Sequence, residues 1–159
     1  MPPTYLLLYV DAQFASPYTM SVFVALHEKA LPFKITTVDL AANANHEADF
    51  AATSLLRRVP TLVHDGSALS ESSAIADYLD EVFSGPPLYP AEPRSRARAR
   101  QVQAWLRSDL IAIRQERSTE VGFYRPTQTP QSTAPHAVKR RDLTVDYPSR
   151  CRRLCSRRG

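Results

Sequence analysis

A chain of 159 residues, 43% apolar and 23% charged, is long enough to bury one core of ordinary size and too short for several. Its formal net charge of +4 is unevenly spread: residues 1–124 carry eleven Lys or Arg against fourteen acids, and residues 125–159 carry nine against two. The basic character therefore belongs to the end of the chain, and no apolar run approaches the length that crosses a bilayer.

In chain order, Tyr5 to Val10 is a short, mostly apolar β run, and Asp11 to Ala15 is a loop. Ser16-Pro17 reads as an N-cap followed by proline at the first helical position. Val22, Phe23, Leu26 and Ala30 give that helix its apolar stripe, and Pro32 is expected to stop it. Phe33 to Leu40 alternates as a half-buried strand. Residues 46–56 suggest a short helix anchored by Phe50, Leu55 and Leu56.

The most informative stretch is Val59 to Glu81, VPTLVHDGSALSESSAIADYLDE. VPTLV is a β-rich run, and Asp65-Gly66 is a strong hairpin signal that leads into a second short strand. Ser70 is expected to cap the helix that follows, with Ala74, Ile75, Tyr78, Leu79 and Val82 on its apolar face. The resulting order, βαβαββα, combines a parallel βαβ unit with an antiparallel hairpin.

These residues resemble the thioredoxin-like N-terminal domain of glutathione transferases. The resemblance implies an α/β fold, a cis Val59-Pro60 bond, and backbone at Val59 that faces the cysteinyl part of glutathione. It also implies that Glu71 and Ser72, at a helix start, hold the γ-glutamyl end, since a helix N-terminus favours a carboxylate. Ser16 matches the Ser or Cys that contacts the glutathione sulfur in the bacterial, theta-like and zeta-like members. A serine is too weak an acid to act as base at neutral pH. Its role would be to donate a hydrogen bond to the thiolate, helped by the helix dipole. Tyr9 and Tyr18 are rivals for that role and are read as packing residues. Arg57, three residues before Pro60, falls where relatives reach the glycyl carboxylate, although an exposed loop arginine fits the sequence nearly as well. Glutathione is then a co-substrate, with no cofactor, and the second reactant is a small electrophile.

Cys151 and Cys155 are the only cysteines, so no thiol lies near Ser16 for dithiol exchange. His27, His46, His64 and His136 show no metal-ligand spacing, and no metal is expected. No signal peptide is read at the start, and a cytoplasmic location is the default expectation.

The expected organisation is a thioredoxin-like domain at 1–84, a proline-rich linker at 85–93, the first helix of an all-α domain at 94–124, and a disordered basic tail at 125–159. Arg94 to Arg117 is patterned as a helix with Val102, Trp105, Leu106, Leu110 and Ile113 on one face and solvated arginines at its start. ARARQVQAWLRSDL resembles the bacterial YfcF-like branch of the family, in which several further helices follow. The tail admits three readings: a nucleic-acid-binding arm, a natural shortened variant, or out-of-frame translation of a GC-rich gene. The last is favoured; it implies impaired turnover and affects the interface of the homodimer that the resemblance implies. Two functions stay open: a glutathione transferase, with a peroxidase side activity conceivable, or a non-catalytic glutathione-binding or interaction module.

Overall fold

The computed structural model describes residues 5–109 and Thr119. Leu110, Ile113, the tail from 125 onward, His136 and the two cysteines lie outside the described residues.

Four strands form one sheet in the order β2-β1-β3-β4, made of β1 (Leu6–Asp11), β2 (Lys34–Val38), β3 (Thr61–His64) and β4 (Ser67–Ser70). β1 pairs parallel to β2 and antiparallel to β3, and β3 pairs antiparallel to β4. The helices are α1 (Pro17–Glu28), α2 (Ala48–Thr53), α3 (Ser72–Val82) and α4 (Pro93–Ser108), with a turn of 3₁₀ helix at Ala44–His46. This is the expected βαβαββα succession followed by a further helix.

The core follows from the period-two alternation of β1. Leu6, Leu8 and Val10 point to the face covered by α1 and α3, where they meet Val22, Ala25, Leu26, Leu62, Ile75 and Leu79. Tyr9 points the other way, and its ring packs edge-on against Phe50 of α2 at 5.3 Å. Leu8, Leu26, Ile75 and Leu79 are fully enclosed, and each side chain stabilises the fold by roughly 1.5–3 kcal/mol.

Several local expectations are corrected. β2 is an edge strand with only Val38 buried, so its alternation does not mark a half-buried face. Leu55 and Leu56 are exposed, and Phe50 alone anchors α2, because the helix ends at Thr53 before either leucine could turn inward. α1 stops at Glu28, ahead of Pro32: Ala30 turns left-handed at φ 52°, and the Leu31 N–H reaches back to the Leu26 carbonyl. Ala30 is consequently exposed. Ser70 does not cap α3. It is the last residue of β4, and Glu71 stands at the N-cap position without a side-chain capping bond. Val82 is half exposed, and Phe83 packs against the core in its place.

The Asp65-Gly66 turn forms as read, both residues adopting positive φ (47° and 86°) as a tight hairpin between twisted strands requires. Lys29, at the end of α1, is buried and bonds Asp80 of α3 at 3.1 Å and the Phe83 carbonyl at 2.9 Å. Asp80 also accepts from the Leu88 N–H at 2.8 Å, which ties the proline-rich connection to the helix pair. α4 starts one residue earlier than expected. Pro93 is its first residue, and the Glu92 carboxylate caps it by accepting from the Arg94 and Ser95 N–H groups at 2.9 and 2.7 Å.

Candidate functional site

The sheet topology brings three separate sequence segments to one end of the molecule. β1 runs antiparallel to β3 with Tyr9 opposite Thr61, so the loop leaving β1 emerges beside the Val59-Pro60 entry to β3. β4 runs antiparallel to β3 with Ser70 opposite Thr61, so Glu71 emerges beside Pro60. The starts of α1 and α3 therefore flank the same strand end.

The first segment carries Ser16. Asp11 is buried at the end of β1, and its carboxylate accepts from the Ala15 N–H at 2.6 Å and the Ser16 N–H at 3.2 Å. Those bonds wrap the loop around one side chain and deliver Ser16 to the helix start. Ser16 has extended backbone, and its hydroxyl accepts from the Thr19 N–H at 3.2 Å. That is the capping bond expected of a Ser-Pro start. A hydroxyl has one proton to give and two lone pairs. The cap uses a lone pair, so the O–H remains able to donate.

The second segment is the loop into β3. Val59-Pro60 is cis, as the resemblance implies, and Pro60 is buried. Arg57 is exposed with φ 51°, and its carbonyl accepts from Asn45 Nδ2 at 3.0 Å. Behind this loop Ser54, Thr61 and Ser70 place their hydroxyl oxygens within 2.9–3.0 Å of one another. Thr61 Oγ1 lies 2.8 Å from the Arg58 carbonyl, and Ser54 Oγ lies 3.3 Å from both the Arg58 carbonyl and its N–H. Ser54 and Thr61 have no exposed surface, so the backbone just before Val59 is braced by a buried polar cluster.

The third segment is the start of α3. Glu71 adopts φ 85° and ψ 113°, where a residue with a Cβ is strained by roughly 1–3 kcal/mol. Ser72 is buried at the first helical position, and Glu71 is exposed. Arg107 of α4 reaches this point and donates to Glu71 Oε1 and to Ser73 Oγ.

A cleft of about 610 Å³ is lined by Asp11, Ser16, Leu40, Asn45, Arg57 and Val59, among others. It joins three of the residues singled out from the sequence. Pro60, Glu71 and Ser72 lie outside its lining and are placed beside it by the strand register. Tyr9 is turned onto Phe50, on the sheet face opposite the core. Tyr18 lies under the Arg107 guanidinium at 5.8 Å. Among the described residues, no group of three His, Cys, Asp or Glu could hold a metal, and no helix is long and apolar enough to cross a membrane.

Sequence reasoning missed Asp11, the Ser54–Thr61–Ser70 cluster and Arg107. An acid closing an apolar strand just before a Ser-Pro start was a usable signal for Asp11. The other two depend on contacts between segments far apart in sequence. The arginines at the start of α4, read as a solvated face, are partly engaged: Arg96 bonds the Pro90 carbonyl, and Arg100 pairs with Asp77 and lies over Tyr89.

Residues 15–82 match the family model for the glutathione S-transferase N-terminal domain, and residues 92–145 match that for the C-terminal domain. The second match runs past Tyr124 into the stretch read above as a basic tail. A glutathione transferase homologue from Burkholderia, solved with bound glutathione, is 50% identical with a TM-score of 0.63, over 70% of this chain and 60% of that one. The β-etherase LigF from Sphingobium is 33% identical with a TM-score of 0.59, over 65% of this chain and 42% of that one. Glutathione transferase GST 23 of Zea mays is 39% identical over 93 residues, 57% of this chain and 40% of its own length. The chain belongs to the glutathione S-transferase family. It spans about 40% of the length of the curated relatives it matches.

Proposed function

We propose that this protein binds glutathione across the end of the sheet and acts as a glutathione transferase on a small electrophile. The observation that carries the reading is the meeting at one strand end of a Ser-Pro helix start, a cis Val59-Pro60 entry and a Glu71-Ser72 helix start. In this reading the cysteinyl sulfur sits at the start of α1, where the Ser16 hydroxyl donates to it. The aligned N–H groups of the helix add a partial positive charge. Both stabilise the thiolate over the thiol, and the thiolate is the nucleophile. The peptide part of the cysteine lies along Val59, and the γ-glutamyl end reaches Glu71 and Ser72. Arg57 supplies a charge for the glycyl carboxylate at the other rim.

Conjugation then needs little from the protein beyond orientation and a lowered thiol pKa. The thiolate attacks the electrophilic carbon, and the leaving group departs with the electron pair of the bond that breaks. A cytoplasmic site of action, a role in detoxification and pairing into a dimer belong to the same reading. Calorimetric titration with glutathione, followed by turnover with an aryl halide, tests it. Saturable binding with Ser16-dependent turnover supports the transferase; binding with no turnover supports the glutathione-binding module; no binding overturns both.

A further inference from the structure

Arg107 sits in the last turn of α4, and its guanidinium lies where three helices meet. One arm donates to Glu71 Oε1, both nitrogens lie 3.0–3.2 Å from Ser73 Oγ, and the ring of Tyr18 on α1 lies 5.8 Å from its central carbon. Other arginines of the same helix stay away from the site. Arg96 bonds the Pro90 carbonyl, Arg98 bonds Gln101 of its own helix, and Arg100 pairs with Asp77. The Arg107 side chain is 27% exposed and that of Glu71 46%, so the pair lies at the mouth of the site, still open to a ligand.

We propose that Arg107 is a positioning residue for the γ-glutamyl end of glutathione: its contact with Glu71 and Ser73 holds the Glu71 carboxylate in the orientation that receives the ligand's ammonium. The proposal rests on the glutathione reading and deepens it. Glu71 projects from strained backbone at φ 85°, which fixes where its side chain starts but leaves its outer torsions free. Freezing a glutamate on binding weakens affinity through lost rotamer freedom, and a side chain already held avoids that loss. Arg107 bonds Glu71 through Oε1, so Oε2 stays available as an acceptor. A γ-glutamyl end carries an ammonium and a carboxylate together. An isolated Glu71 would attract the first and repel the second. With Arg107 beside it, the local charge suits the zwitterion.

The test is a cycle between protein and ligand. Calorimetric Kd values are measured for glutathione and for its glutaryl analogue, which lacks only the α-amino group, on the full chain and on Arg107→Ala and Arg107→Lys. Circular dichroism confirms that each variant is folded, and Arg107→Lys keeps the charge if the alanine variant fails to fold. Arg107→Ala is expected to weaken glutathione roughly 5- to 20-fold and the analogue much less, with partial recovery in Arg107→Lys. The ultraviolet titration of the bound thiol should stay unchanged, because Ser16 and not Arg107 governs it. Equal weakening of both ligands would show a merely structural role and overturn the proposal. Tighter glutathione binding in Arg107→Ala would show that the arginine competes with the ligand, and would overturn it too. If the unaltered chain binds neither ligand, the glutathione reading falls and takes this proposal with it.

Discussion

Replacing Ser16 with alanine separates two jobs done by one hydroxyl. Its lone pair caps α1 by accepting from the Thr19 N–H at 3.2 Å, and its proton is free for the glutathione sulfur. Loss of the cap should lower global stability by about 1 kcal/mol, read as a shift in the urea midpoint with an unchanged slope. Loss of a hydrogen bond to a charged sulfur is larger, about 1.5–3 kcal/mol. At about 1.36 kcal/mol per pKa unit, the bound thiol should titrate about 1–2 units higher in Ser16→Ala. The dipole of α1 survives the substitution and keeps a residual lowering of about 0.3–1 kcal/mol. The assay follows thiolate absorbance in the ultraviolet against pH at saturating glutathione, which needs no electrophile and reports on the sulfur alone. Ser16→Thr should behave like the unaltered protein. An unchanged thiol titration in Ser16→Ala, with the expected loss of stability, would reduce Ser16 to a cap and refute the reasoning.

Three further outcomes are expected. Burial works to raise the Asp80 pKa, but the Leu88 N–H and the Lys29 ammonium outweigh it and hold the carboxyl below its ordinary 3.8. A depressed folded-state pKa contributes stability above the unfolded value, so this contribution should fade as pH falls below about 4, and acid unfolding of Asp80→Asn should lack that component. Lys29→Met leaves the part-buried Asp80 carboxylate without its cation and should cost roughly 1–3 kcal/mol in urea titrations at neutral pH, against almost nothing for an exposed lysine such as Lys34. Thr61→Val removes one member of the buried hydroxyl cluster and should destabilise the fold by about 1–3 kcal/mol while raising the Kd for glutathione, because the backbone before Val59 loses its brace. Unchanged glutathione affinity in that variant would confine the cluster to stability.

The fold was legible where local signals and the pattern agreed. Ser16-Pro17 starts α1, Asp65-Gly66 turns the hairpin, and Ile75 and Leu79 face the core, because each depends on residues within a turn or two of one another. Leu55 and Leu56 misled because an apolar side chain has no inward direction once the helix carrying it has ended. Ser70 misled because a serine four residues into a strand looks the same as a cap. Only the pairing of Ser70 with Thr61 shows that β4 continues that far, and only the positive φ of Glu71 shows where α3 begins. The site was legible as a set of motifs, while the parts that hold them in place were not. Asp11 lies within five residues of the N–H groups it holds and left a local trace, whereas the Ser54–Thr61–Ser70 cluster and the Arg107–Glu71 contact join residues up to 36 positions apart, and no period or spacing encodes such meetings.

The central claim is that a bound glutathione lays its sulfur against the hydroxyl that opens α1. A crystal structure of the chain with glutathione tests it most directly. The account predicts the sulfur within hydrogen-bonding reach of Ser16 Oγ, the cysteinyl backbone paired with Val59, and the γ-glutamyl ammonium on Glu71. A tripeptide bound with its sulfur turned toward Tyr9 or Tyr18, or seated away from the end of β3, would contradict it.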